Sequence, residues 1–209
     1  MKAIAQPAVE FVGTFFLVVV IGLVAANDAI GTLAPAAIGL TLAALIYAGG
    51  HISAAHYNPA VTAAFWMCGW FKKPMGAAAY WAAQLAATLA AVAVILLLRE
   101  RPDALLLQEG PLFVAETLFT FLLVFVIGNV ALAEKTADNH YYGLAIGATV
   151  AGAAWAVGDI SGAALNPAVA LAFAMLAMIS WTDLPIYLAA QLLGAAVAVA
   201  VFRCTTSMR

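Results

Sequence analysis

Gly50-His51-Ile52-Ser53, then four residues, then Asn58-Pro59-Ala60-Val61: this frame occurs twice in the chain. The second copy is Gly158-Asp159-Ile160-Ser161 followed, at the same distance, by Asn166-Pro167-Ala168-Val169. Each tripeptide opens a short apolar run, about 58–69 and 166–178. Asparagine is a favoured N-cap. Proline in the first helical turn gives up an N–H that has no intrahelical partner anyway. Each tripeptide therefore predicts a helix start, and each run is too short to cross a bilayer, which takes about 20 residues. The stretches before them, Gly50 to Tyr57 and Gly158 to Leu165, are expected to be non-helical backbone at membrane depth. Such backbone is tolerated only where it is buried in protein or lines a water-filled cavity.

The rest of the chain supplies the membrane. Of 209 residues, 67% are hydrophobic and 9% charged, and the mean hydropathy is +1.07. A soluble domain carries roughly 25% charged residues, so this chain is expected to sit in a lipid bilayer. Six apolar segments are long enough to span, at about 8–27, 34–50, 76–98, 112–133, 142–158 and 185–202. The expected fold class is an all-α membrane protein, six transmembrane helices plus two re-entrant half-helices. A net charge of −2 with eight basic residues leaves no nucleic-acid patch. Cys68 and Cys204 read as small residues in apolar surroundings rather than a disulfide or metal pair. No metal cluster, cofactor motif or nucleophile–base pair is legible, so no enzyme is expected. The first apolar run lacks the cleavage site of a signal peptide.

The repeat reaches beyond the tripeptides. Glu10-Phe11-Val12-Gly13-Thr14 resembles Glu116-Thr117-Leu118-Phe119-Thr120; Ala37-Ile38-Gly39 matches Ala145-Ile146-Gly147; Tyr80-Trp81-Ala82-Ala83-Gln84 matches Tyr187-Leu188-Ala189-Ala190-Gln191. The chain thus reads as one domain, 1–209, made of two halves, 1–103 and 104–209. Three spans per half is odd, so the second half enters the membrane inverted, and the half-helices meet from opposite faces. Lys2, Lys72, Lys73, Lys135, Arg203 and Arg209 fall on one side, and Arg99 and Arg101 on the other. The positive-inside rule then places both termini in the cytoplasm, across a cell or inner membrane.

With both Asn-Pro-Ala motifs in an inverted repeat, the sequence resembles the aquaporin, or major intrinsic protein, family over nearly its whole length. The resemblance implies a homotetramer with one pore per subunit and Asn58, Pro59, Ala60, Asn166, Pro167 and Ala168 at the pore midplane. Two helix N-termini there would present roughly half a positive charge each, the asparagine amides would donate to a passing oxygen, and cations would be repelled. Glu10 and Glu116, at equivalent places in two spans, are expected to accept hydrogen bonds from the loops before the tripeptides. His56 is expected in a vestibule. His51 and Asp159 are expected to anchor loops, and Gln84 and Gln191 to join helices.

The chain departs from the family at one point. Family members usually carry arginine directly after the second Asn-Pro-Ala, and here that residue is Val169. The resemblance maps the other filter positions to Ile38, Ala154 and Ala163. None of the four has a charge or a hydrogen-bonding side chain. Such a ring is wide and apolar, and suits polyol-like or metalloid hydroxides such as glycerol or arsenite, besides water. Trp155, Phe11, Phe15 or Trp181 could instead fill the gap. Alternatives to this passive channel are a water-selective aquaporin, an ion-coupled secondary transporter, and a junction protein without conduction.

Overall fold

The computed structural model describes residues 2–71 and 73–207. Lys72 and Arg209, counted above for orientation, lie outside the described residues, as does the Lys2 side chain. The helices are α1 (Lys2–Ala25), α2 (Ala34–Ser53), α3 (Pro59–Met67), α4 (Pro74–Leu98), α5 (Glu109–Ile127), α6 (Tyr142–Ser161), α7 (Pro167–Met175) and α8 (Leu184–Thr205). Six of them are long and apolar enough to cross a membrane, and α3 and α7, at nine residues each, are not. Five helices, α2, α3, α4, α7 and α8, carry proline in their first two positions. There the ring presets the helical φ and costs no hydrogen bond.

The packing is paired. Helix α1 lies against α4 and α2, and α5 lies against α8 and α6. The seam between these groups is the α2–α6 crossing, where Gly39 and Gly147 face each other. A Cβ on either would run into the other's carbonyl oxygen. The two helices can approach this closely only with glycine at both positions. Half-helix α3 packs on α4 and α8, α7 does the same, and the two touch each other.

Three differences from the sequence reading have local causes. Helices α2 and α6 run through Gly50 and Gly158 to Ser53 and Ser161, so the non-helical segments shrink to 54–57 and 162–165. Each helix ends in a left-handed residue, Ala54 (φ 66) or Gly162 (φ 73), whose N–H returns to the Gly50 or Gly158 carbonyl; a left-handed cap closes a helix in this way. A 3-10 turn over Asp28–Leu33 joins α1 to α2. The fourth span keeps its expected length through a wider turn: α5 passes into a π turn, Gly128–Leu132, closed by Ala133 N–H on the Gly128 carbonyl at 2.9 Å.

The start of α1 and the end of α8 lie at one end of the bundle. Arg203 Nη2 donates to the Met67 carbonyl at the end of α3, and Glu134 N donates to the Ser207 carbonyl. The opposite end gathers residues 26–33, 99–108 and 176–183, tied by Leu105 N to the Met178 carbonyl at 2.8 Å and by Arg99 to the Ala26 carbonyl.

A pore between two half-helices

Asn58 and Asn166 both have extended backbone (φ −156 and −158) and cap the half-helices they precede. Asn58 Oδ1 accepts from Ala60 N at 2.8 Å, and Asn166 Oδ1 from Ala168 N at 2.9 Å. The amide nitrogens reach across: Asn58 Nδ2 donates to the Leu165 carbonyl at 2.8 Å, and Asn166 Nδ2 to the Tyr57 carbonyl at 2.9 Å. A primary amide has two N–H groups. One on each side chain is thus committed to the opposing loop, and the second has no partner among the described residues. The sequence reading expected these donors to face a passing oxygen and did not include the bond to the opposing loop.

Two carboxyl groups hold the loops. Glu10 and Glu116 have no exposed surface. Glu10 Oε1 accepts from Ser53 Oγ (2.7 Å) and His56 N (2.9 Å), and Oε2 from Tyr57 N (2.7 Å) and Gln84 Nε2 (2.8 Å). Glu116 repeats the set with Ser161 Oγ (2.7 Å), Ala164 N (2.9 Å), Leu165 N (2.8 Å) and Gln191 Nε2 (2.7 Å). Tyr80 and Tyr187 add a donor each, to the Ser53 and Ser161 carbonyls. The loops need such support. Ala54, Ala55 and Tyr57 in one, and Ala163 and Leu165 in the other, are non-glycine residues at positive φ. Each such residue costs roughly 1–2 kcal/mol. The left-handed turns also free carbonyls: those of residues 54–56 and 162–164 accept no hydrogen bond among the described residues.

A cavity of about 370 Å³ runs past the asparagines of both tripeptides, while Pro59, Ala60, Pro167 and Ala168 are not among its lining residues. Asn58 and Asn166 line its middle, and both loops contribute to its wall. Towards the chain termini it is bounded by Trp70, Asp138 and Tyr142, and His56 lines that half. Ile38, Ala154, Ala163 and Val169 all border the cavity. None of Phe11, Phe15, Trp155 and Trp181 is among its lining residues. Trp155 is 58% exposed on the outer face, its Nε1 donating to the Thr32 carbonyl. The aromatic rings that do line the cavity are Tyr57, Phe65, Trp70, Tyr142 and Phe173. Periodicity gave no means to choose among so many apolar rings.

Gln84 joins α4 to α1, and also donates to Thr62 at 3.0 Å; Gln191 joins α8 to α5. His56 Nδ1 pairs with Thr62 Oγ1 at 3.1 Å. Thr62 was missed because its repeat partner is Ala170. His51 and Asp159 anchor nothing: both are exposed, and neither makes a side-chain hydrogen bond among the described residues. Cys68 and Cys204 are free thiols away from the cavity.

Six spanning helices around two short helices that meet tip to tip beside a cavity lined by residues of both halves define a membrane channel. A profile of the major intrinsic proteins matches the chain twice, over residues 1–111 and 107–209. Aquaporin NIP1-2 of Arabidopsis thaliana is 36% identical over 204 residues, covering 89% of this chain and 69% of its own. Aquaporin NIP1-3 of Oryza sativa subsp. japonica is 36% identical over 201 residues, covering 89% and 68%. The X-ray structure of the aquaglyceroporin from Plasmodium falciparum superposes with a TM-score of 0.82 at 20% identity, covering 97% of this chain and 96% of that one, a likeness of fold. The chain belongs to the major intrinsic protein family, multi-pass membrane channels for small solutes and water.

Proposed function

We propose that each subunit passively conducts polyol-like solutes and undissociated metalloid hydroxides, such as glycerol or arsenite, together with water. One observation carries this reading: the four cavity-lining residues Ile38, Ala154, Ala163 and Val169 bring neither charge nor a side-chain hydrogen bond. A solute passing them is sorted by size and by its fit to backbone carbonyls. Asn58, Pro59, Ala60, Asn166, Pro167 and Ala168 form the midplane, where two helix N-termini disfavour cations. Glu10 and Glu116 support the loops, and His56 belongs to the vestibule. The halves 1–103 and 104–209 act as inverted repeats. Both termini face the cytoplasm, across the plasma or inner membrane, and four copies assemble as a homotetramer. Stopped-flow light scattering on proteoliposomes with water, glycerol, urea and arsenite tests the reading. Glycerol and arsenite flux without an ion gradient supports it. Flux of water alone would select the water-selective alternative, and dependence on a cation gradient the coupled transporter.

A further inference from the structure

Val169 and Phe173 stand one helical turn apart on α7, and both border the cavity. Residues four apart share a helix face, so together they make one continuous apolar strip along the cavity wall. The same strip exists in the other half. Val61 and Phe65 stand at the same distances from Asn58 as Val169 and Phe173 do from Asn166, and both line the cavity. The two phenylalanines are not equivalent in their surroundings. Phe65 is wedged among other rings, with His56 at 4.1 Å and Trp70 at 5.5 Å between centroids. Phe173 has no ring partner among the described residues. Its edge rests on Gly162 instead, where a Cβ would come within 2.8 Å of the ring. Leu105 covers the same glycine, and its backbone is pinned to Met178. Away from the termini, every other side chain bordering this part of the cavity is aliphatic or absent.

We propose that Phe173 is a further specificity-determining residue, the one that limits the cross-section of solutes on the side of the asparagines away from the chain termini. Seven residues of helix place it ~10 Å along α7 from Asn166. The ring of Ile38, Ala154, Ala163 and Val169 sets a wide limit, and the phenylalanine edge next to Gly162 is the bulkiest side chain beside it to narrow the passage further. A flat, apolar edge discriminates by width and offers no hydrogen bond, so it sorts polyols by girth rather than by hydroxyl count. The inference rests on the solute-channel reading above.

The test uses the full-length protein in proteoliposomes, with glycerol, erythritol and xylitol as probes, and Phe173→Leu and Phe173→Trp as variants. Trp155→Ala, at an exposed site off the cavity, is the control. Size-exclusion elution and water flux matching the wild type establish folding. The erythritol-to-glycerol flux ratio is expected to rise about tenfold in Phe173→Leu and fall by a similar factor in Phe173→Trp, the scale of a methylene-sized change in fit. Folded variants that carry the three polyols in wild-type proportions overturn the role of Phe173 and leave the channel reading standing. A wild-type protein that carries no polyol overturns both.

Discussion

Asn58 and Asn166 brace each other's loops: each donates a side-chain N–H to the carbonyl of the residue just before the other, at 2.8 and 2.9 Å. The two half-helices are therefore fixed tip to tip by the residues that also cap them. This reciprocity uses an acceptor and one donor of each asparagine. The carbonyl oxygen caps its own helix, one N–H holds the opposing loop, and one N–H remains beside the cavity.

Asn166→Asp keeps the cap, since aspartate caps as well as asparagine. It loses the donor to Tyr57 and sets an oxygen against that carbonyl. Its charge also offsets the positive helix ends. Sodium or proton leak into liposomes should rise above that of the wild type, and thermal stability in detergent should fall by about 1–3 kcal/mol for the unpaired carbonyl. An unchanged leak would remove Asn166 from the conducting path.

Glu10→Gln and Glu116→Gln should cost nearly the same. Each replaces a four-fold acceptor with an amide whose NH₂ group confronts backbone N–H groups, leaving buried donors unpaired at about 1–3 kcal/mol each. Thermal unfolding in detergent should show a matched loss for the two variants. A large loss for one and none for the other would contradict the equivalence of the two sets.

Mercurial reagents should inhibit the wild type weakly. Cys68 and Cys204 do not border the cavity, and Cys68 faces a separate small void between α3, α5 and α8. Ala163→Cys, at a cavity-lining position, should become sensitive, with block reversed by a thiol. Strong block of the wild type would place a native cysteine in the path.

The repeat made much of this architecture legible. Ser53 and Ser161 stand at the same distance before Asn58 and Asn166, and Glu10 and Glu116 recur in the matching spans, which foretold two matching sets of hydrogen bonds; Tyr80 and Tyr187 sat in the quoted repeat unread. Where the halves differ, the sequence was silent. Thr62, opposite Ala170, had no counterpart to flag it, and although His56, opposite Ala164, was expected in the vestibule, its pairing with Thr62 was not. The extent of the loops was misjudged because Gly50 and Gly158 look like helix breakers, whereas four more helical residues bring Ser53 and Ser161 within reach of the carboxyl groups. Phe173 was overlooked because an apolar helix in an apolar protein gives no contrast between lipid-facing and cavity-facing rings.

The central claim is that an arginine-free, apolar ring sets the solute range, and Val169→Arg tests it most directly. A guanidinium at this cavity-lining position adds bulk, a fixed charge and five donors. Glycerol and arsenite flux in proteoliposomes should fall about tenfold or more relative to water, the scale on which a change of fit discriminates. A folded variant that carries glycerol, arsenite and water in wild-type proportions would contradict the account and move the constriction away from Val169.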